Sequence, residues 1–529
     1  MTSFHGQHSI AGSHRGTNPT VAATSPLDGT LLPGRFCLAS VTDADDAVRA
    51  AAAVFPTFAA ATGAARAALL EGIATEILAL GDALIERARL ETALPEARLV
   101  GERGRTVGQL RLFAALAREG SWCDPRIDPA QPQRQPLPRA DIRRVKVPLG
   151  PVIVFGSSNF PLAFSVAGGD TASALATGNP VVVKAHRGHP GTSELVAGAI
   201  ERAVASSGLP AGVFSMLHGE GATIGVAMVE HPLAAAVGFT GSRAGGRALV
   251  DAAARRLHPI PVFAEMSSLN PVFLLPEALA ARGESIASGF VGSMTLGVGQ
   301  FCTKPGVVIG VEGPDFARFR GALASAVGQA APGRMLTAEI FSAYRRGSEK
   351  LVACPGTALL AKATGTGGDT DALPLVAATS AAAFLADRRL GEEVFGPASL
   401  VVSAATRDEM LALARHLDGQ LTATVHGTPA DLAGAADLLG ILATKAGRLI
   451  VNGFPTGVEV GHAMQHGGPW PATSDPRFTS VGSAAAERFV RPVCYQDVPD
   501  ALLPPALQNA NPLGLLRLVD GQPSREPIG

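Results

Sequence analysis

The segment GQFCTKPG, Gly299 to Gly306, sets one of only five cysteines, Cys302, between a polar, glycine-rich approach and a Lys-Pro exit. A cysteine that only packs usually sits in an apolar run. Cys302 is therefore a candidate nucleophile, whose thiolate can add to an electrophilic carbon. On these residues alone, a small side chain filling a hole beneath a loop is the other reading. A nucleophile needs a base and a donor for developing negative charge. PVFAEMSSLN leaves Glu265 at the end of an apolar run, where desolvation would raise its pKa toward that of a general base near neutrality. A salt-bridged structural glutamate fits that position equally well. FGSSNFPLAF puts Asn159 at a strand exit, where its amide can donate to an oxyanion, although a helix-capping asparagine is the commoner use.

Other residues suit an anionic, sugar-bearing ligand. VVVKAHRGHP places Lys184 directly after an apolar strand, where its ammonium can reach a ribose or phosphate or merely snorkel to solvent. FTGSRAGG brings Gly241 and Gly246 to the mouth of a helix, a place for a pyrophosphate, on a glycine pattern common to many strand–helix turns. EEVFGP holds Glu393 in a turn closed by Gly396-Pro397, suited to sugar hydroxyls. His462 and His466 in GHAMQHGG have helical spacing, but the flanking glycines argue against a helix and no third ligand is apparent. They read as a loop lining a cavity, with no metal. The N-terminal histidines read as solvated.

These residues need a scaffold. Thr42 with Asp45 gives a helix-capping signal, and alanine-rich helical periodicity runs from there to about Glu119. The prolines of DPRIDPAQPQRQPLPRAD forbid helix and predict an extended excursion. From Val152, short apolar strands alternate with helices (FSVAGGDTASALATG among them) as far as IPVFAEM, which predicts βαβ units and a parallel sheet with a ligand crevice at its strand ends. A second α/β stretch spans roughly 267–475, and a proline-rich arm follows Val490. The first ~20 and last ~9 residues are expected to be loose.

The totals exclude several functions. Net charge is −1, with no basic excess or charge block, so neither nucleic acid nor a membrane surface is an expected partner. No apolar stretch approaches the ~20 residues of a membrane span, and the N-terminus has no secretory h-region. The cysteines are scattered and odd in number, which points to a reducing compartment, the cytoplasm, and away from a disulfide scaffold. There is no CxxC or HExxH, so no zinc is predicted.

In chain order, Asn159, Lys184, the glycine turn, Glu265, Cys302 and Glu393 resemble the site residues of the aldehyde dehydrogenase superfamily, with GQFCT and FTGS the most specific segments. The resemblance covers nearly the whole chain. It implies an α/β fold: a Rossmann-type cofactor domain (1–123 and 149–266), an α/β catalytic domain (267–476), and a small β oligomerisation hairpin with a C-terminal arm (124–148 and 477–529). A homodimer or homotetramer follows. By the same resemblance Cys302 matches the nucleophile that forms a thiohemiacetal and then a thioester. Asn159 and the Cys302 backbone N–H would hold the oxyanion, and Glu265 would activate water for hydrolysis, which disfavours acyl transfer to CoA. Lys184 and Glu393 match cofactor-positioning residues, Phe395 packs near the nicotinamide ribose, and Ser242 lies in the pyrophosphate turn.

Two departures stand out. Arg187 occupies a position where many members carry a glutamate for the adenosine ribose, which implies NADP as preferred cofactor with NAD possible. EMSS replaces the common ELGG, which would restrict cofactor motion. FAEMSSLNPVF, GQFCTKPG and VEVGHAMQHGGPWPATSD resemble a branch that oxidises the small aldehyde 2,5-dioxopentanoate to 2-oxoglutarate. Its carboxylate calls for a cation, and Arg111 and Arg477 are candidates that also read as surface arginines. The alternatives are an NADP-linked long-chain aldehyde enzyme with a tunnel lined by Phe113 and Phe164, a cofactor-independent thiol hydrolase, or an inactive binding homologue. No histidine stands in a motif that would serve the hydrolase as base.

Overall fold

Four-residue apolar runs buried along their whole length, Val152–Phe155, Val181–Lys184, Phe214–Leu217 and Val262–Glu265, join Ala236–Thr240 in a parallel sheet. Runs without polar alternation are what a sheet covered on both faces requires. The chain is described over residues 4–17, 19–365 and 367–528 in a computed structural model. Across the sheet the strands run 262–265, 236–240, 152–155, 181–184, 214–217, and then His8–Ile10 and Ser13–Arg15. Strand 152–155 is flanked by 236–240 on one side and 181–184 on the other. Strand order reverses there, and the loops leaving the carboxyl ends part into a crevice. Lys184 and Glu265 are the last residues of their strands, while Gly241 and Asn159 follow theirs.

The second sheet has the order 357–362, 375–380, 398–404, 307–311, 272–274, 420–426, 446–451, parallel except for its first strand. Cys302 lies in the connection between helix Pro276–Thr295 and strand Val307–Val311. A third sheet pairs Val490–Gln496, Ile142–Pro148, Arg126–Asp128, Arg517–Val519 and Gln522–Ser524. Among the described residues no helix is long and apolar enough to cross a membrane.

Several local expectations are corrected. The first helix, Val41–Ala59, is capped by Ser40 in a capping box with Asp43, not by Thr42 with Asp45. Asp45 instead pairs with Arg49 and His231. FSVAGGDTASALATG is helical only over Gly169–Ala176. The described N-terminal residues are not loose: residues 8–10 add antiparallel to 214–217, and the Glu194 carboxylate accepts the N–H groups of His5 and Gly6, each at 2.9 Å. His8 is fully buried rather than solvated, whereas His5 and His14 are exposed. At the other end, residues 517–524 form a hairpin and Ile528 N–H donates to Asn509 O at 2.9 Å. Backbone pairing with a sheet edge holds both ends, and it leaves no apolar signature in so polar a sequence.

One helix reaches directly toward the crevice. Glu96–Glu119 carries Arg98, Glu102, Arg105 and Gln109 at spacings of four, three and four, which puts them on one face. That face meets the turn after Asn159. Glu102 is buried; Oε1 accepts the N–H groups of Leu162 (2.9 Å) and Ala163 (3.0 Å), and Oε2 takes Arg98 Nη1 at 2.6 Å. Gln109 donates to Ala163 O at 3.2 Å. Removing Glu102 strands two buried N–H groups and one arginine. Glu102→Ala is expected to cost about 3 kcal/mol in chemical denaturation, and Glu102→Gln, which keeps an acceptor for the amides, less.

Candidate active site

The cysteine turn is built rather than loose. Gly297, Val298 and Gly299 all have left-handed backbones, with φ of 56°, 60° and 65°. For β-branched Val298 that conformation is strained, and only a well-held turn keeps it. A Cβ on Gly299 would fall 2.4 Å from the Gly396 carbonyl carbon, so the glycine lets this turn pack against the EEVFGP turn. Gln300 Oε1 accepts the Leu336 N–H at 3.0 Å, and Asn159 Nδ2 donates to Gln300 O at 2.9 Å. Beyond the cysteine, Asn270 Nδ2 donates to the carbonyls of Cys302 (2.9 Å) and Lys304 (3.0 Å). Buried Lys304 donates to Ala398 O at 2.7 Å and Val394 O at 3.1 Å, clamping the turn that carries Glu393.

Cys302 faces a partner that the sequence did not disclose. His466 Nε2 lies 3.4 Å from Cys302 Sγ and 3.0 Å from Glu265 Oε1, and one ligand atom from each of the three side chains falls within a 4.8 Å cluster. His466 is fully buried, and its Nδ1 has no partner. Burial pushes the Cys302 thiol well above its usual range; the charges of Glu265 and Glu393 push the same way, and Arg105 opposes them. Glu265 departs from expectation. Burial would raise its pKa, but the charge of His466 and hydrogen bonds with His466, Ser480 and Cys302 outweigh burial and hold the carboxyl below its ordinary range. Ser480 Oγ donates to Glu265 Oε2. His462, by contrast, is exposed and lies 3.0 Å from Ser483 Oγ.

A cavity of about 350 Å³ is lined by Asn159, Gly241, Ser242, Glu265, Ser267, Cys302, Glu393 and Phe395 among others. A second, of about 530 Å³, shares Gly241 and Ser242 and continues past Lys184 and Arg187. Asn159 caps no helix; it stands on the cavity wall. Ser242 is the N-cap of helix Arg243–Ala254, accepting the Gly245 N–H at 3.2 Å. Gly246 sits behind it, where a Cβ would fall 2.6 Å from Met266 Sδ. Burial lowers the Lys184 ammonium to about 8. Glu393 is raised by burial, with Lys304 and Ser267 opposing. The two serines of EMSS are tied into this wall. Ser267 Oγ accepts the Arg243 N–H at 3.3 Å. Ser268 Oγ accepts the Leu421 N–H at 3.0 Å and lies 3.0 Å from Gln420 Oε1.

Arg187 is half exposed and sits 3.8 Å from Glu220 and 3.9 Å from Glu339. Of the arginines considered for a substrate carboxylate, Arg111 is exposed, and Arg477 is exposed and pairs with Asp475. Phe113 is buried in the helical core and lines no tunnel, whereas Phe164 packs against Phe160, which meets Phe301 beside Cys302. Lys304, Asn270 and Glu102 were missed, and His466, expected in a cavity-lining loop, does line a cavity but was not matched to Cys302. A helical stripe of Arg98, Glu102, Arg105 and Gln109 was the one available signal for Glu102; nothing in GHAMQHGG pointed His466 at a cysteine 164 residues away.

The aldehyde dehydrogenase family model matches residues 14–470. The chain is 57% identical over 512 residues to alpha-ketoglutaric semialdehyde dehydrogenase 2 of Azospirillum brasilense, covering 97% of this chain and 96% of that one. It is 47% identical over 523 residues to alpha-ketoglutaric semialdehyde dehydrogenase of Acinetobacter baylyi, covering 98% and 99%. Among solved structures, gamma-glutamyl-gamma-aminobutyraldehyde dehydrogenase from Burkholderia cenocepacia superposes with a TM-score of 0.79 at 21% identity, over 94% of this chain and 97% of that one. The chain therefore belongs to the aldehyde dehydrogenase family, enzymes that oxidise an aldehyde with a nicotinamide dinucleotide.

Proposed function

We propose that this enzyme oxidises 2,5-dioxopentanoate (alpha-ketoglutaric semialdehyde) to 2-oxoglutarate through a covalent Cys302 intermediate, with NADP preferred over NAD. The substrate rests on the two near-full-length relatives that bear that name. The observation that carries the chemistry is the cluster of Cys302, Glu265 and His466 beside the Asn159-lined cavity.

Because burial opposes the Cys302 thiolate, its proton needs an acceptor at hand, and His466 in its neutral form, with Nε2 at 3.4 Å, is that acceptor. The imidazolium formed is compensated by the Glu265 carboxylate at 3.0 Å. The thiolate adds to the aldehyde carbon, and the resulting oxyanion is held by the Asn159 amide and the Cys302 backbone N–H. When bound, the nicotinamide accepts the hydride of the oxidation. The thioester left on Cys302 is attacked by a water whose proton passes to Glu265, which releases the acid and returns the thiol.

The crevice suits a dinucleotide. Gly221 lines it, and a Cβ there would meet nothing within 4 Å, so the space is open. Ser242 and the N-terminus of helix 243–254 would take the pyrophosphate, Lys184 a ribose or phosphate, and Glu393 with Phe395 the nicotinamide end. Arg187 favours a 2′-phosphate because its exposed contacts with Glu220 and Glu339 are long and weak, and a phosphate can replace them. A second reading, a cofactor-independent thiol hydrolase, draws on one observation: His466 supplies the imidazole base that no motif had offered. The open crevice from Cys302 to Arg187 argues against it, since hydrolysis has no use for one. We also propose a cytoplasmic homodimer or homotetramer, because Val490–Gln496 is an outer strand of the third sheet with an unpaired edge that a second chain can cover.

Reduced-nicotinamide absorbance is expected to rise with 2,5-dioxopentanoate and NADP, and to stay flat for Cys302→Ala; ester turnover without cofactor as the main activity would favour the hydrolase. Since the thiolate is the reactive form and its pKa is raised, kcat/KM should climb with pH. His466→Ala should lower it by about 10²–10⁴ near pH 7, with the deficit closing at high pH; an unchanged profile removes His466 as base. Arg187→Ala should cost NADP about tenfold or more in kcat/KM while sparing NAD, and equal losses would remove the 2′-phosphate assignment. Analytical ultracentrifugation should give a mass at or above that of two chains.

A further inference from the structure

We propose that Arg105 receives the carboxylate of the substrate, side-on, through its Nε–Nη2 edge. The assignment rests on the oxo-acid reading above and specifies how the site selects such a molecule.

Arg105 lies on the polar stripe of helix 96–119, one turn beyond Glu102. Its Nη1 donates to Val458 O at 2.7 Å, while Nε and Nη2 are buried with no partner. Among the described residues it is the one arginine with both of those atoms buried and unmatched. Buried, unpaired N–H groups on a cation are costly, and an anion supplied by a ligand relieves that cost. The free edge is also the one whose two parallel N–H groups match the two oxygens of a carboxylate.

Its surroundings belong to the site. The Arg105 guanidinium carbon is 5.3 Å from the ring centre of Phe164 and 5.9 Å from that of Phe160; Phe160 in turn meets Phe301, the residue before Cys302, at 5.3 Å. Burial lowers the Arg105 pKa, and the Cys302 thiolate is the first charge that opposes this. The neighbouring cations are already engaged. Arg98 pairs with Glu102 at 2.6 Å, and Arg448 Nη2 donates to Pro455 O (2.8 Å) and Gly457 O (3.0 Å). The rings of Phe164 and Phe160 stand beside the guanidinium. Phe164 is only partly buried, so its ring can turn aside as the carboxylate enters.

The test compares 2,5-dioxopentanoate with pentanal, a chain of equal length lacking the carboxylate, for wild type, Arg105→Met and Arg105→Lys. Wild type should prefer the oxo acid. Arg105→Met should lose about tenfold to a hundredfold more in kcat/KM for the oxo acid than for pentanal, mainly through KM, with Arg105→Lys between. A wild type without preference sinks the oxo-acid reading itself. A wild-type preference that Arg105→Met retains sinks only Arg105. Should Arg105→Met turn over neither aldehyde, alkylation of Cys302 by iodoacetamide decides. Glutarate should protect wild type better than glutaramide, and protect Arg105→Lys less. Equal protection by the two compounds, or protection unchanged in Arg105→Lys, overturns the assignment.

Discussion

The structure depends above all on the pinning of the Cys302 turn from two sheets at once. Asn270 opens the second sheet, itself left-handed at φ 49°, and spends its amide on the carbonyls of residues 302 and 304. Its Oδ1 accepts from Thr422 at 2.9 Å, and Gln420 Oε1 accepts the backbone N–H of Leu269 at 2.8 Å, so strand 420–426 is tied to the same point. On the far side Asn159, from the first sheet, holds Gln300. In the proposed role of nucleophile, a sulfur so fixed gives up little orientational freedom when a substrate arrives, which is the benefit of positioning reactants before reaction. Gln420, far from the sulfur, is joined to this turn through Asn270, whose N–H it accepts at 3.1 Å.

Charge in the site is nearly balanced but unevenly placed. Glu265 and Glu393 bring two carboxylates near the sulfur; Lys304 and Arg105 bring two cations, and His466 stands between sulfur and Glu265. Burial disfavours every charged form, so Lys304 and Arg105 are both lowered while Glu393 is raised. Glu265 is the exception, because the charge of His466 and hydrogen bonds with His466, Ser480 and Cys302 outweigh burial. On the proposed mechanism, the site keeps a neutral thiol at rest and stabilises the thiolate once a proton has moved to His466. A substrate carboxylate at Arg105 would offset the cation that most favours that thiolate, so binding and activation are coupled in this arrangement.

Much of the fold was legible because its signals are local. Strands buried on both faces read as unbroken apolar runs, and their alternation with helices implies a parallel sheet with a crevice. Residues at the ends of those strands, Lys184 and Glu265, could be named for that reason. His466 could not: flanking glycines hide the backbone path, and its partners come from other elements. The pKa direction of Glu265 was misjudged for a related cause, since burial is visible in an apolar run and the opposing hydrogen bonds are not. The N-terminal hairpin escaped notice because main-chain bonds hold it.

Helical phase explains why Arg111 and Arg105, on the same helix, fare so differently. Polar residues recurring at four, three and four share one helix face, and where that face packs against the protein they must meet something polar. Arg98, Glu102, Arg105 and Gln109 do so, and what they face is the turn that carries Asn159, Phe160 and Phe164. Arg111 stands two positions on from Gln109, off that stripe, and is exposed. Three of the four stripe residues are satisfied by charge or backbone, and the fourth leaves two of its three side-chain nitrogens without a partner. A helix that invests its buried polar face in one turn, and leaves one cation incomplete beside the nucleophile, has the features of a surface shaped for an anion that arrives with the aldehyde.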